Sequence, residues 1–308
     1  MISLFIPIKN EARDLPACLK SVAWSDDVHV YDSGSTDESV KIAQKAGAKV
    51  TAAPQGRETE IFGGDESRHK KWALDNIRFR NDWVLHIDAD ERVTPELASN
   101  ALKAIGEPGN NVAFRVRRRD FLAGQWLEHT VASSYYIRLF RPEKMTYQRI
   151  INPVSVPLGP VGEINGFLDH HPFSKGITHW VAKHNSYASL EARQIARNRE
   201  AQRRFSVLEA LVARDPNVRR FHQKELFYRL PFRPLMKFLI LYAAKRGFLD
   251  GRAGFQYAAL QSIYEYMIVL KTRELREERN MPDLAAARSG IPRDIPLEGA
   301  HANSSSND

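Results

Sequence analysis

Short apolar runs and amphipathic runs take turns through the first hundred residues, and this alternation constrains the fold more than any other feature. Strand-like runs occupy 2–8, 28–31, 48–52 and 83–87, and helix-like runs occupy 15–23, 38–46, 67–77 and 95–105. The former are short and bounded by polar residues; the latter repeat apolar residues three and four apart. Thr36 offers a cap to the second helix, with Asp37 and Glu38 suited to its positive end and Gly47 placed to stop it. A β-α-β-α order implies an α/β domain, a largely parallel sheet covered by helices. In such sheets ligands gather at the carboxyl ends of the strands.

That rule singles out three polar clusters. Lys9-Asn10-Glu11 follows the first strand, Asp32-Ser33-Gly34-Ser35 follows the second, and Asp88-Ala89-Asp90 ends the run 83–87. All three are expected at one sheet edge. Two carboxylates one residue apart suit Mg²⁺ or Mn²⁺, which take hard oxygen ligands and share them with substrate phosphates. An acidic pair after a strand also serves simply to begin a loop or cap a helix.

The rest of the chain divides by charge and pattern. Residues 1–175 carry 23 Lys+Arg against 23 Asp+Glu, residues 176–280 carry 20 against 10, and residues 281–308 carry 2 against 4. The net charge of +8 therefore resides in one segment. Three regions are expected: a catalytic domain over 1–175, a basic helical extension over 176–280 and a disordered tail over 281–308. Runs at 112–118 and 135–140 look like strands, 153–166 reads as loop with short strands, and helical pattern begins near residue 176, broken near 215–216 and 231–234. Gly56, Gly63 and Gly64 suggest a loop over 55–65, either mobile above a ligand or simply at the surface. Cys18 is the single cysteine, so no intrachain disulfide forms, which fits a reducing compartment. Met1 leads straight into a strand-like run without a secretory leader, and no apolar run reaches the roughly 18–20 residues of a spanning helix.

The segments Ile6-Pro7-Ile8-Lys9-Asn10-Glu11, Val30-Tyr31-Asp32-Ser33-Gly34-Ser35-Thr36-Asp37 and His86-Ile87-Asp88-Ala89-Asp90-Glu91 resemble, in order and spacing, the signatures of family 2 glycosyltransferases. Arg138-Leu139-Phe140-Arg141, Lys183-His184-Asn185-Ser186-Tyr187-Ala188, Gly247-Phe248-Leu249-Asp250-Gly251 and Tyr264-Glu265-Tyr266 are similar to the lipopolysaccharide-core glucosyltransferase branch, so the resemblance covers about residues 1–275. The chain departs from that branch at Arg68-His69-Lys70-Lys71-Trp72, at 129–134 and at Val161-Gly162-Glu163. The last two departures fall where an acceptor would sit.

The resemblance implies the GT-A fold, a Rossmann-like mixed sheet flanked by helices, with a helical C-terminal extension. It implies an inverting transferase that moves a hexose, glucose first, from a UDP-sugar to a glycolipid or oligosaccharide acceptor of lipopolysaccharide core or another cell-surface glycan. A divalent metal, Mn²⁺ or Mg²⁺, would assist departure of the nucleotide diphosphate. Pro7 and Glu11 would shape the nucleoside pocket, and Asp32 would bond the base. Asp88 would face the ribose or the outer shell of the metal, Asp90 would ligate it, and His171 would complete the site. Arg68 or Lys71 would add positive charge, and Arg138 would pair with a phosphate or acceptor anion. Glu163 is expected as the base that takes the acceptor proton, with Asp120 its rival and Asp169 a third carboxylate in reach of the role. Each has a plainer alternative: Glu11 as a helix cap, Asp32 as a turn holder, Arg68 and Lys71 as a solvated helix face, Arg138 as a structural ion pair and His170-His171 as packing beside a loop.

Between 205 and 270 large apolar residues are interleaved with Arg and Lys, a mixture suited to an anionic bilayer. A peripheral position on the inner face of the cytoplasmic membrane is expected, the alternative being packing on the catalytic domain or on a second copy in a homo-oligomer. Nucleic acid is not expected as a partner, since no binding motif is present. A non-catalytic nucleotide-sugar-binding protein or sensor is the alternative function.

Overall fold

A computed structural model describes residues 1–56, 65–131, 133, 135–148, 153–200, 205–213 and 216–280. The chain forms β1 (Ser3–Ile8), α1 (Leu15–Ser21), β2 (Val28–Asp32), α2 (Ser39–Lys45), β3 (Lys49–Ala52), α3 (Glu66–Asn76), β4 (Val84–His86), β5 (Glu91–Val93), α4 (Pro95–Gly106), β6 (Ala113–Leu122), β7 (Gln125–Trp126), β8 (Tyr135–Phe140), β9 (Met145–Gln148), β10 (Val154–Pro157) and β11 (Val161–His170). Helices follow: α5 (Gly176–Glu200), α6 (Val207–Val212), α7 (Pro216–Arg229), α8 (Arg233–Leu239) and α9 (Gly251–Asn280). Most of the glycine-containing loop over 55–65 and all of the tail over 281–308 lie outside the described residues.

The main sheet has the order β3-β2-β1-β4-β8-β6-β11-β5, with β7 hairpinned onto β6. Strands β3, β2, β1 and β4 are parallel; β8 runs antiparallel between β4 and β6, and β11 is parallel to β6. Two reversals restore direction, so β1, β2, β4, β6 and β11 all end at the same edge. The mixed sheet flanked by helices is a GT-A fold, with a helical C-terminal part.

Strand alternation fills both faces. Ile2, Leu4, Ile6 and Ile8 of the first strand region pack with Leu15 and Leu19 of α1 and with Leu97 and Ala101 of α4. Phe5, Tyr31 and Val84 point to the opposite face and meet Ala73 and Leu74 of α3. Helix α4 opens as its sequence suggests: Thr94 Oγ1 accepts the Leu97 N–H at 3.2 Å, followed by Pro95 and Glu96. Thr36 is not the cap of α2. Its N–H donates to Asn10 Oδ1 at 2.7 Å, and Glu38 holds the cap position. The reason is tertiary: Asn10 Oδ1, in the loop after β1, also accepts the Thr36 hydroxyl at 3.4 Å, which turns that side chain away from α2.

The segment 153–166, expected as loop with short strands, contains β10 and the first six residues of the ten-residue β11. The ladder of β11 with β6 shifts between Ile164 and Phe167. Gly166 sits in the shift at φ +109°, and a Cβ there would lie 2.8 Å from the Leu97 backbone. Only glycine allows α4 to approach this closely.

The chain divides into two compact units. Among the described residues, one comprises 1–177 and 239–258; the other comprises 178–238 and 259–280. Residues 239–258 thus cluster with the sheet unit, although the sequence pattern had assigned them to the extension. Asp250 supplies a reason: its buried carboxylate accepts the backbone N–H of His129 and Thr130 at 3.1 and 2.7 Å and the Thr130 hydroxyl at 2.6 Å. In the second unit Ala188, Ile195 and Ile268 form a small core with Tyr228 and Tyr264. No helix among the described residues is long and apolar enough to cross a membrane.

Candidate active site

Five strand ends assemble an acidic edge. Asp32 closes β2, and its carboxylate accepts the Ser35 N–H at 3.1 Å, forming a turn that presents the side chain beside β1. Pro7 lies next to it in register with Tyr31. Glu11 follows β1, half-buried, with Lys175 Nζ at 2.7 Å from Oε1. Burial raises the Glu11 pKa against the pull of Lys175, and the charges of Asp90 and Asp14 add to the rise, bringing it to about 7.

The Asp88–Glu91 loop is tied down from below. The Asp88 N–H donates to Glu91 Oε2 at 2.8 Å. Arg138, buried on β8, places Nη2 at 2.8 Å from Asp88 Oδ2 and 2.6 Å from Glu91 Oε1. Burial alone would raise the pKa of Asp88, but Arg138 and the neighbouring His86 hold it well below the ordinary carboxylate range. Glu91 is fully enclosed, and its burial raises its pKa in spite of Arg138. His86 is pushed down to about 3 by burial, with the charge of Lys70 adding to it, so its ring is neutral.

Asp90 faces the end of β11. His170 Nε2 is 3.3 Å from Asp90 Oδ2, and its Nδ1 is hydrogen-bonded to Asp120 at the end of β6. Arg118 Nη2 reaches Asp120 Oδ1 at 3.3 Å. Burial disfavours the His170 cation, but the Asp90 charge and the Asp120 hydrogen bond outweigh it and raise the pKa to about 9. Asp120 is drawn down by the same contacts against its own burial. Among the described residues no three His, Cys, Asp or Glu side chains close a complete metal cage.

Pro7, Glu11, Asp32, Asp88, Asp90, Asp120 and Arg138 therefore come to one edge, Glu11, Asp32, Asp88 and Asp90 as the strand-end rule anticipates. Four expectations change. Glu163 is exposed near the start of β11, in register with Arg115. It lies seven residues before His170, about 20 Å along the strand, so it is at the opposite edge from Asp90. His171 stacks on Phe121 with ring centroids 5.2 Å apart, while His170 turns its ring to Asp90. Lys71 pairs with Asp75 on the exposed side of α3, whereas it is Lys70 whose charge acts on Asp88 and His86. Arg138 neutralises carboxylates of the site. Arg68 is exposed in the first turn of α3, its N–H bonded to the Asp65 cap at 3.0 Å. Glu91, Lys175 and Asp14 were not singled out. Glu91 carries a signal after the fact, a third acid directly following the Asp-Ala-Asp triplet.

A parallel-antiparallel sheet with paired aspartates at the end of its fourth strand is the architecture of a nucleotide-sugar-dependent transferase. The family model for glycosyl transferase family 2 matches residues 3–157, and the chain belongs to that family. It is an enzyme, a glycosyltransferase. It is 26% identical over 294 residues to the lipopolysaccharide core biosynthesis glycosyltransferase LpsC of Rhizobium meliloti (strain 1021), covering 94% of this chain and 97% of that protein. It is 25% identical over 288 residues to glycosyltransferase RT0209 of Rickettsia typhi (strain ATCC VR-144 / Wilmington), covering 89% and 87%. Among solved structures, glucosyl-3-phosphoglycerate synthase from Mycobacterium tuberculosis, in complex with Mn²⁺, UDP and glucosyl-3-phosphoglycerate, aligns at 22% identity and a TM-score of 0.32. That alignment covers 39% of this chain and 44% of that one, less than half of each.

Proposed function

We propose that this glycosyltransferase moves a hexose, glucose first, from a UDP-sugar to a saccharide of lipopolysaccharide core or another cell-surface glycan, with inversion at the anomeric carbon. The observation that carries the reading is the convergence of Asp32, Asp88, Asp90 and His170 from the ends of three strands, β2, β4 and β11. The match to LpsC along nearly its whole length supports the glycan class. Pro7, Asp32 and Glu11 hold the nucleoside, and Asp88 faces the ribose.

Asp90 and His170 fit a divalent cation, Mn²⁺ or Mg²⁺. A ring whose second nitrogen is held by a carboxylate has a fixed tautomer and a directed lone pair, and Asp120 does this for His170. One or two protein groups suffice where substrate phosphates supply further oxygens. When bound, the cation neutralises charge on the departing diphosphate. Asp120 is accordingly an orienting residue. The acceptor oxygen bonds to the anomeric carbon as the bond to the diphosphate oxygen breaks; the bonding pair leaves with the diphosphate, and the acceptor proton passes to a base at this edge.

The exposed apolar side chains favour a membrane surface as the place of action. In the sheet unit, Phe248, Leu249 and Phe255 are half-exposed beside Lys245, Arg246 and Arg252. In the other unit, Phe232, Leu235 and Met236 are exposed beside Lys237. Flotation with anionic and with zwitterionic liposomes tests this; binding to neither, together with a dimer in solution, assigns the patches to a subunit interface instead.

The decisive experiment is a donor screen by nucleotide release, with and without Mn²⁺, using extracted glycolipid as acceptor. Release from a UDP-hexose that disappears in Asp90→Ala supports the reading; release from no donor refutes it.

A further inference from the structure

We propose that the cavity beside Asp90 receives the acceptor, and that it is built for a sugar bearing a phosphate or a carboxylate; the inference rests on the transferase reading of the same edge. The cavity has a volume of about 470 Å³ and opens between the start of α1, the β6–β7 turn and the chain just after β11. That volume lies within the range of small-ligand sites, ~300–1,000 Å³. Its wall is joined to the acidic loop, because the His171 N–H donates to the Asp90 carbonyl at 2.9 Å. Asp32, at the end of β2, does not line it. The cavity is therefore adjacent to Asp90 and separate from the turn assigned to the nucleoside.

The lining matches a sugar. Phe121 and His171 stack with planes 23° apart, and Phe173 stands in the same wall. A flat aromatic pair suits the C–H face of a pyranose. Asp14 is buried and accepts the Ser174 hydroxyl at 2.6 Å, leaving lone pairs for a sugar hydroxyl.

The charge is what narrows the class. Arg13 and Arg92 both line the cavity, against the single carboxylate of Asp14. Arg92 is anchored by Nη1, which donates to the carbonyls of Ala89 and Glu91 at 2.8 Å each, and its Nη2 is a looser 3.5 Å from Asp14. Arg13 is exposed and makes no hydrogen bond or ion pair among the described residues. A guanidinium can also donate to a neutral hydroxyl, but two of them against one carboxylate leave a net positive wall, and a phosphate or carboxylate matches the planar fork of Arg13.

The test uses the full chain with two pairs of probes, mannose against mannose 6-phosphate and glucose against glucuronate, by saturation-transfer NMR and titration calorimetry without donor. The charged member of each pair should bind roughly tenfold more tightly, the effect of one charge-assisted contact. That preference should vanish in Arg13→Ala, and Phe121→Ser should weaken both members of each pair. Arg13 is exposed, so its removal should leave the thermal melt in place and make the comparison clean. Equal binding within each pair, no binding of either member, or a preference that survives in Arg13→Ala overturns the proposal. Competitive displacement of mannose 6-phosphate by UDP would also overturn it, since the cavity would then hold the donor diphosphate. Donor hydrolysis by the wild-type chain is read separately: hydrolysis without charge preference sinks this inference alone, whereas no hydrolysis and no donor binding sinks the parent reading.

Discussion

His170 Nε2 stands 3.3 Å from Asp90 Oδ2, so the end of β11 closes over the acidic loop that follows β4. The contact joins strands that are far apart in sequence and sets the His170 imidazole between the carboxylates of Asp90 and Asp120.

Without metal, His170 stabilises the fold as a cation. Its folded-state pKa of about 9 exceeds the ordinary 6.5, so the contribution is complete below pH 6.5 and is lost as the pH rises through 9. Its ceiling is about 3 kcal/mol. Urea unfolding in the presence of chelator should show stability falling across that window, and His170→Gln should flatten the slope.

Asp90→Ala and His170→Ala should each lower turnover steeply, Asp90→Ala by about a thousandfold, the scale of losing electrostatic stabilisation at a leaving group. Glu163→Gln should stay within a few-fold of wild type, because its carboxylate is at the other edge of the sheet. Nucleotide-release rates at saturating donor compare the three; a dead Glu163→Gln would contradict the strand direction of β11.

Arg138→Met should destabilise the protein by about 3–5 kcal/mol, the cost of leaving the buried Glu91 carboxylate, with the part-exposed Asp88 beside it, without a counter-charge. Denaturant midpoints measure this at neutral pH. The penalty should shrink in acid, where Asp88 and Glu91 can take up protons.

Asp250→Ala should cost about 2–4 kcal/mol, since a buried carboxylate that accepts several hydrogen bonds disappears and leaves the His129 and Thr130 donors unmet. Burial acts to raise the Asp250 pKa, but the bonds from Thr130 and His129 lower it overall, so the stabilisation is present above the ordinary carboxylate pKa and fades as the pH drops through the folded value. Hydrogen exchange at the 129–130 amides should accelerate in the variant at neutral pH.

The first four strands and their helices could be read directly, because period-2 and period-3.6 patterns are local and strong in those runs. The acidic edge followed from them, since parallel strands share an end. What sequence could not supply was long-range pairing. The direction and register of β11 decide that Glu163 is remote and that His170, rather than His171, faces Asp90. Lys70 and Lys71 are neighbours on α3, about 100° apart around its axis, and only the packed face shows which one acts on Asp88. Arg138 revealed its charge in sequence but not its carboxylate partners. Residues 239–258 looked like their helical neighbours because the Asp250 tether to Thr130 spans more than a hundred residues.

The irregularity at Gly166 sets the spacing of the site. Ile164 pairs with Val116, whereas His170 pairs with Asp120, an offset of two residues gained between them. A straight ladder continued from Ile164 would bring Leu168 opposite Asp120, on the same face but without an imidazole. Gly166→Val, which cannot hold φ +109° against Leu97, would favour that straight ladder. One glycine thereby chooses whether Asp120 meets an imidazole or a leucine, and the pairing hangs on a side chain that is absent.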